Sequence, residues 1–436
     1  MKVQISFPDH QLLSLSIPDG WCLYHLMNSF GYKESLYFAI VNNRIVPDTY
    51  LIKEEDKIDV HLVKLPIVNK ETIQLICNNL NKNEKQMVFS SEIRESELCN
   101  NCSSISIINK RFMGFGLESN HYSLCDKCFS IEIEKRVMKT ILWHQLVERG
   151  DRIFIPLSGE KDSSAVVYFL SMFRKRFNKF EMLAYTVDEG VGTYSQVRLE
   201  KAKFLCNLLG VPNRIDSFKK EYGYTLLEMI ESIKKKGILL QHHPCYICNV
   251  LKNKMFQEYF RKNMCTKVAG SNNMTDQAER VLIALLYGMW DYTCGVGPKI
   301  YDAAFQKTGI LILSEIDEKE IAIYLYINKI PYNRHEDCQC AIFLMKEMRK
   351  LQDIHWQYTR LGAVVRDTLA NLEQYNSGTI LFFMSNYKKY YSNLLQKNIP
   401  VPESKQCANC GRQFISRLSN QSICEACYIL DYYKLV

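Results

Sequence analysis

Glycine and proline are scarce in this chain of 436 residues, 19 and 11 in number, which excludes a collagenous or low-complexity polypeptide. No apolar run approaches the ~18 residues that mark a membrane span. Met1 to His10 alternates like a strand and lacks the charged-then-apolar layout of a signal peptide. A soluble, cytoplasmic protein without a membrane partner is therefore expected. Charged residues make up only 23% and hydrophobic ones 47%, too apolar for disorder, and the length calls for two or three domains. The balance of 55 Lys and Arg against 47 Asp and Glu leaves +8, which favours a polyanionic partner such as RNA or a nucleotide without naming one.

Cysteine, by contrast, is abundant. Ten of the 17 fall into five Cys-x-x-Cys pairs, a spacing that serves metal ligation in a cytosolic chain rather than disulfides. Cys99 and Cys102 are followed 23 positions later by Cys125 and Cys128, and Cys407 and Cys410 are followed 14 positions later by Cys424 and Cys427. Two such turns aim four thiolates at one ion, so each set is expected to hold a structural Zn²⁺ with no open position. His121, near the second pair, is an alternative ligand.

The first 67 residues read as two strands (Lys2 to Phe7, Leu12 to Ile17), a helix (Cys22 to Phe30) and further strands near Leu36 to Val41, Arg44 to Ile45 and Lys57 to Leu62. Asn42 and Asn43 supply a hairpin turn. That order describes a small β-grasp module. It resembles the sulfur-carrier, ubiquitin-like members of that superfamily, which end in a free Gly-Gly. Here the strand ending at Val63 runs on into Lys64-Leu65-Pro66-Ile67, so docking or scaffolding is expected rather than a carrier role. Residues 68–98 are polar and Asn-rich, as a linker is.

Further on, an apolar strand (Arg152 to Leu157) meets a polar turn (Ser158 to Ser164) and a helix (Ala165 to Phe173), an arrangement whose free amides and helix dipole bind a phosphate. Ser158-Gly159-Glu160-Lys161-Asp162-Ser163 resembles the PP-loop, Ser-Gly-Gly-x-Asp-Ser, of the ATP pyrophosphatases, with Glu160 in place of the second Gly. A carboxylate beside pyrophosphate is repulsive, and a Cβ there restricts a loop that needs positive φ. Met182 to Val187 is a second strand ending in Asp188-Glu189-Gly190. Thr266 to Ala269 is a third, leading to Gly270-Ser271-Asn272-Asn273 and Asp276 before an apolar helix that ends at Gly288. With Tyr194 and the helix Ser195 to Leu209, these segments resemble the tRNA 2-thiolation branch of the PP-loop family. Ser271 stands where that branch has His, and Asp276 matches its active-site Asp or simply caps the following helix.

The third cysteine group is Cys245 and Cys248, with Cys338 and Cys340 downstream. In the resembled branch such a pair and one distant Cys hold an iron-sulfur cluster with one iron open to an exogenous sulfide. Glu336-Asp337 before Cys338 matches the acidic pair of that branch, which favours Cys338 over Cys340. A persulfide-carrying pair and a third zinc site are the rival readings. Lysines of the helix Leu251 to Lys262 read as a solvated face or as phosphodiester contacts. The mixed stretch Tyr387 to Tyr391 reads as an RNA surface or a helix packing edge.

The resemblance spans roughly Cys99 to the C-terminus. It implies a doubly wound, mostly parallel α/β sheet of the adenine nucleotide alpha hydrolase type, flanked by two zinc knuckles and preceded by the β-grasp domain. The implied domains are a knuckle at 99–130, a PP-loop catalytic domain at 131–345, a helical region at 346–400 and a second knuckle at 401–436. The implied activity is ATP-dependent tRNA 2-thiolation, in which a uridine C2 oxygen is adenylated and sulfur then displaces AMP. ATP and Mg²⁺ would lie on Ser158, Gly159, Lys161, Asp162, Ser163, Ser164, Asp188, Gly270 and Asn272. Lys161, Asp162 and Asp276 are the catalytic candidates, and Cys245, Cys248 and Cys338 would carry a [4Fe-4S] cluster. The implied partners are tRNA and a sulfur donor, either a carrier thiocarboxylate or sulfide, with a homodimer usual in the family. Two alternatives stand: a catalytically weakened scaffold that binds tRNA or relays sulfur, and another PP-loop ligase.

Overall fold

In the computed structural model, which describes residues 1–7, 12–63, 98–113, 119–177, 180–237, 242, 244–289, 293, 295–302, 304–333, 357–391, 404–415 and 421–435, runs of β-branched and aromatic residues become the strands of two main sheets. The sheets belong to different compact units, each assembled from separated stretches of sequence. One unit comprises Met1–Arg136, Ile316–Asn328 and Val365–Asn386; the other comprises Val137–Glu315, Lys329–Val364 and Tyr387–Val436.

In the first unit, β1 (Lys2–Ser6), β2 (Leu13–Ser16), β3 (Tyr37–Val41), β4 (Arg44–Val46) and β5 (Lys57–Leu62) pair in the order β2-β1-β5-β3-β4, with α1 (Leu23–Ser29) between β2 and β3. Only β1 and β5 run parallel. Asn42 and Asn43 carry φ of 48° and 68°, the double left-handed turn that matches strand twist in a two-residue hairpin. Val3, Ile5 and Val60 from alternating strand positions close a core with Leu23, Leu26 and Met27 of α1. A serial division of the chain gives the helix Glu318–Ile327 to the nucleotide domain, yet it groups with this unit. Its Lys319 ammonium bonds Asp48 at 2.9 Å and the Glu34 carbonyl at 2.7 Å, and its Tyr326 ring meets Phe38 and His61. Further along the chain, β6 (Ile108–Met113) and β7 (Ser119–Leu124) pair antiparallel and precede α2 (Asp126–Trp143).

The second unit holds the expected α/β sheet. Its strands β8 (Arg152–Pro156), β9 (Glu181–Asp188), β10 (Asn213–Ser217), β11 (Lys267–Ala269), β12 (Lys299–Asp302) and β13 (Lys307–Ile310) lie in the order β10-β9-β8-β11-β13-β12. All neighbours are parallel except β12 and β13. Buried positions run consecutively in β8 and β11 rather than alternating, because parallel strands are covered on both faces. The chain winds from β8 outward to β10, then returns to β11 on the other side of β8. That reversal opens a crevice at the carboxyl ends of β8 and β11, where a doubly wound sheet binds its ligands. The helices used below are α3 (Lys161–Phe177), α4 (Gly192–Leu209), α5 (Pro244–Lys262) and α6 (Met274–Tyr287). Among the described residues no helix is long and apolar enough to cross a membrane.

Phe154 is fully buried at the centre of β8, with the rings of Tyr185, Phe256, Tyr259, Phe260 and Phe305 at 5.6 to 6.4 Å. Phe154→Ala is expected to cost about 3–5 kcal/mol, read as a lowered urea unfolding midpoint with little change in slope.

Candidate functional site

β8 delivers the chain into a tight turn, and α3 begins at Lys161. Gly159 has a φ of +82°, and a Cβ there would collide with the carbonyl oxygen of Arg198, so both conformation and space require glycine. Ser158 Oγ and Ser163 Oγ lie 2.8 Å apart, and the Ser158 amide donates to Ser163 Oγ at 3.2 Å. The first-turn amides of α3 have no acceptor within the helix, so the loop has the make-up of an anion site. The left-handed turn falls on Gly159 and not on Glu160. The Glu160 carboxylate is exposed and accepts a hydrogen bond from the Tyr194 hydroxyl of α4.

Lys161 Nζ bonds one Asp162 oxygen at 2.7 Å, and the Asn273 side-chain amide donates to the other at 3.2 Å. Asn273 is fully buried and N-caps α6. Asp276 is the third residue of that helix and returns a bond to the Asn273 amide at 3.2 Å. The alternative in which Asp276 itself is the cap is thereby corrected: the helix starts three positions earlier than the sequence suggested, because Asn273 and Asp276 form a reciprocal capping box. Asp188 accepts the Gly190 amide at 2.8 Å at the end of β9, Gly270 donates to the Ile310 carbonyl at 3.0 Å, and Asn272 is half-buried in the same turn. Ser164 is buried beneath the loop.

A buried ion network runs on from the loop. Arg198 of α4, 2% exposed, donates to the Ser158 carbonyl and to Glu189, and its guanidinium stacks 4.9 Å from the Tyr194 ring. Glu189, 4% exposed, also accepts from Lys252 Nζ at 2.9 Å. Burial pushes the Glu189 carboxyl up, but Lys252 and Arg198 outweigh it and hold it below its ordinary value of 4.5. Burial would likewise lower Lys252, yet the charges of Cys248 and Glu189 keep it protonated. Lys252 is therefore not on a solvated face. Cys248 lies one turn before it on α5, and Cys245 and Cys248 are both half-buried in the first turns of that helix. Lys254, by contrast, lies 5.5 Å from the Tyr222 ring. Cys338 and Cys340 lie outside the described residues. Asn333, five positions before Cys338, donates its amide to the Gly159 carbonyl at 2.9 Å.

Each of the two four-cysteine sets converges, with all sulfurs of a set within 4.8 Å of one another. Cys102 lies 3.5 Å from Cys125 and 3.7 Å from Cys128, and Cys410 lies 3.8 Å from Cys424. A tetrahedral ion with ~2.3 Å metal–sulfur bonds gives sulfur–sulfur edges of about 3.8 Å, so both sets fit such an ion. The first set completes itself without His121, which sits on β7.

Residues 151–279 match the family model described as the tRNA methyl transferase HUP domain. That stretch, from β8 through the start of α6, is thus similar to a HUP domain. Over 308 residues the chain is 26% identical to cytoplasmic tRNA 2-thiolation protein 1 of Chlamydomonas reinhardtii, covering 68% of this chain and 76% of that protein. It is 26% identical over 280 residues to the tRNA-5-methyluridine(54) 2-sulfurtransferase of Pyrococcus horikoshii, covering 64% and 79%. Its fold is similar to that of the U34-tRNA thiolase NcsA from Methanococcus maripaludis, a structure with a [4Fe-4S] cluster. The TM-score is 0.55 at 21% identity, over 77% of this chain and 95% of that one.

Sequence reading missed Asn273 and Arg198 and left Lys252 on the surface. A polar side chain at the buried register of an otherwise amphipathic α4 was the available signal for Arg198. Glu189→Gln leaves the buried Arg198 and the partly exposed Lys252 uncompensated and is expected to cost about 3 kcal/mol at neutral pH. Because the folded carboxyl titrates below 4.5, its contribution is present above that pH and lost as pH falls through the folded value, so parent and variant stabilities are expected to converge on acidification. Urea unfolding at a series of pH values measures both; a gap that does not change with pH contradicts the ionised Glu189.

Proposed function

We propose that this protein is an ATP-dependent tRNA 2-thiolation enzyme, a tRNA sulfurtransferase that converts ATP to AMP and pyrophosphate. The observation that carries the reading is the bridge Ser158–Arg198–Glu189–Lys252, which draws the phosphate loop and the Cys245–Cys248 turn to one edge of one sheet. A uridine carbonyl oxygen is a poor leaving group, and adenylation remedies that. Ser158, Gly159, Ser163 and Ser164 bind the ATP phosphates in this reading, Lys161 offsets the charge that grows on pyrophosphate, and Asp162 and Asp276 hold Mg²⁺ or orient the base. Asp188, Gly270 and Asn272, at the ends of the neighbouring strands, contact the nucleoside. A sulfur nucleophile then takes C2 and AMP departs. Glu160 does not argue against activity, since it is engaged by Tyr194 and the glycine-only conformation is supplied by Gly159.

Cys245, Cys248 and Cys338 would hold a [4Fe-4S] cluster, whose fourth iron offers a place for exogenous sulfide. Two half-buried thiols near a pair of cations suit that group, because Lys252 and Arg198 offset the negative charge of thiolate ligands. The two four-cysteine sets are assigned Zn²⁺ with a structural role, and the N-terminal unit is assigned a β-grasp fold with a docking role. A cytoplasmic enzyme acting on tRNA, with a small sulfide or a carrier thiocarboxylate as donor, completes the proposal.

Anaerobically purified protein is expected to carry two zinc ions and one cluster per chain. By metal analysis, Cys102→Ser and Cys410→Ser each lose one zinc, whereas Cys245→Ser and Cys248→Ser lose iron and the visible cluster absorption but keep both zincs. Mass spectrometry of tRNA nucleosides is expected to show loss of a 2-thiouridine in cells lacking the protein. In vitro, Lys161→Ala is expected to slow ATP-dependent thiolation by about 10²–10³-fold. Unchanged thiolated nucleosides in the deletion strain would overturn the assignment.

A further inference from the structure

The C-terminal four-cysteine knuckle does more than close a tail. β14 (Ser404–Gln406) and β15 (Gln413–Ile415) bring Cys407 and Cys410 round, and Cys424 caps α7 (Glu425–Tyr432). The apolar side of α7, Ile429 and Leu430, packs in one core with Ile247 and Leu251 of α5. Two segments about 180 positions apart in sequence therefore meet beside the Cys245–Cys248 turn. Their outer rings form an aromatic cluster around His242. Tyr246 stacks on His242 at 5.3 Å with planes 14° apart, while Tyr428 and Tyr432 meet it edge-on at 6.3 and 6.2 Å. The Tyr433 hydroxyl, on a fully buried residue, accepts the His242 amide at 3.1 Å and lies 2.9 Å from its Nδ1, which pins the imidazole in place.

Packing explains Tyr433 but not the outer pair. Tyr246 and Tyr428 keep 38% and 42% of their surface exposed although both rings are already held by neighbours. A basic run lies at the far end of the helix that carries Tyr428, because Lys236 Nζ donates to the Lys434 carbonyl just past α7 and so brings Lys234–Lys236 there. Rigid aromatic faces with cations further along suit a nucleobase on a phosphodiester chain. A base modified at C2 must also leave its stack and find another face to lie on.

We propose that Tyr246 and Tyr428, held about His242, form a stacking platform for an unstacked base of the RNA substrate beside the Cys245–Cys248 turn. The platform rests on the thiolation reading above and makes the second metal knuckle part of the RNA-binding surface. Stacking on an aromatic face is worth about 5- to 150-fold in affinity per base, and this contribution does not depend on counterion release.

The test uses the full-length, cluster-loaded protein with unmodified tRNA, measuring Kd across a salt series and thiolation kcat/KM. Tyr246→Ala and Tyr428→Ala are each expected to weaken binding by roughly 5- to 150-fold, with an unchanged slope of log Kd against log salt and unchanged iron and zinc contents. Tyr246→Phe and Tyr428→Phe, which keep the ring, are expected to restore the affinity. A steeper or shallower salt slope, Phe variants as weak as the Ala ones, or Ala variants that bind as the parent does would each overturn the platform while leaving the thiolation assignment standing. A parent protein that neither binds nor thiolates tRNA removes both.

Discussion

The second unit turns on one buried carboxylate. Glu189 follows the end of β9, where its desolvation is tolerable only with strong partners, and it has two, Arg198 and Lys252. Arg198 reaches back to the Ser158 carbonyl of the loop before α3, and Lys252 stands one helical turn from Cys248. Each cation comes from a different helix, so the pair fixes α4 and α5 against the same strand end. The Ser158–Ser164 loop and the cysteine turn are thus held through one charge.

The same economy appears at the ends of the parallel strands. Asn273 caps α6 with its side chain and donates to Asp162, so the start of one helix is coupled to the first turn of another across the crevice. Gly159 gives up its side chain to the Arg198 carbonyl, and its own carbonyl accepts from Asn333, five positions before Cys338. In the first unit the comparable device is Lys319, whose ammonium joins the helix Glu318–Ile327 to Asp48 and Glu34. Both units use buried cations as struts between elements that are distant in sequence.

Much of this was legible in order and spacing. The two four-cysteine sets, the strand–turn–helix at Ser158, the strand end at Asp188 and the hairpin at Asn42 and Asn43 all depend on neighbours close along the chain, and local chemistry suffices to read them. The glycine question at position 160 was legible only in part. The motif says that a small residue is usual there, but only the backbone shows that the left-handed turn falls on Gly159 and that Tyr194 engages Glu160. Tyr387 likewise is buried and Lys388 pairs with Glu315, whereas Lys389 and Tyr390 stay exposed, so the stretch packs along one side only.

The sequence by itself determined which residues belong to each turn, which thiols come in pairs and that a polar loop of the PP-loop pattern precedes a helix, because those properties are set by separations of a few residues and by backbone geometry. Only the tertiary structure decided which cation meets Glu189, that Asn273 rather than Asp276 caps α6, that the helix Glu318–Ile327 belongs with the N-terminal unit, and that His242 is ringed by tyrosines from the far end of the chain. Apart from the α6 cap and the Glu189–Arg198 pair, these pairings join segments separated by tens to hundreds of residues. What selects them is how buried faces and charges match in three dimensions, a property that no local window of sequence contains.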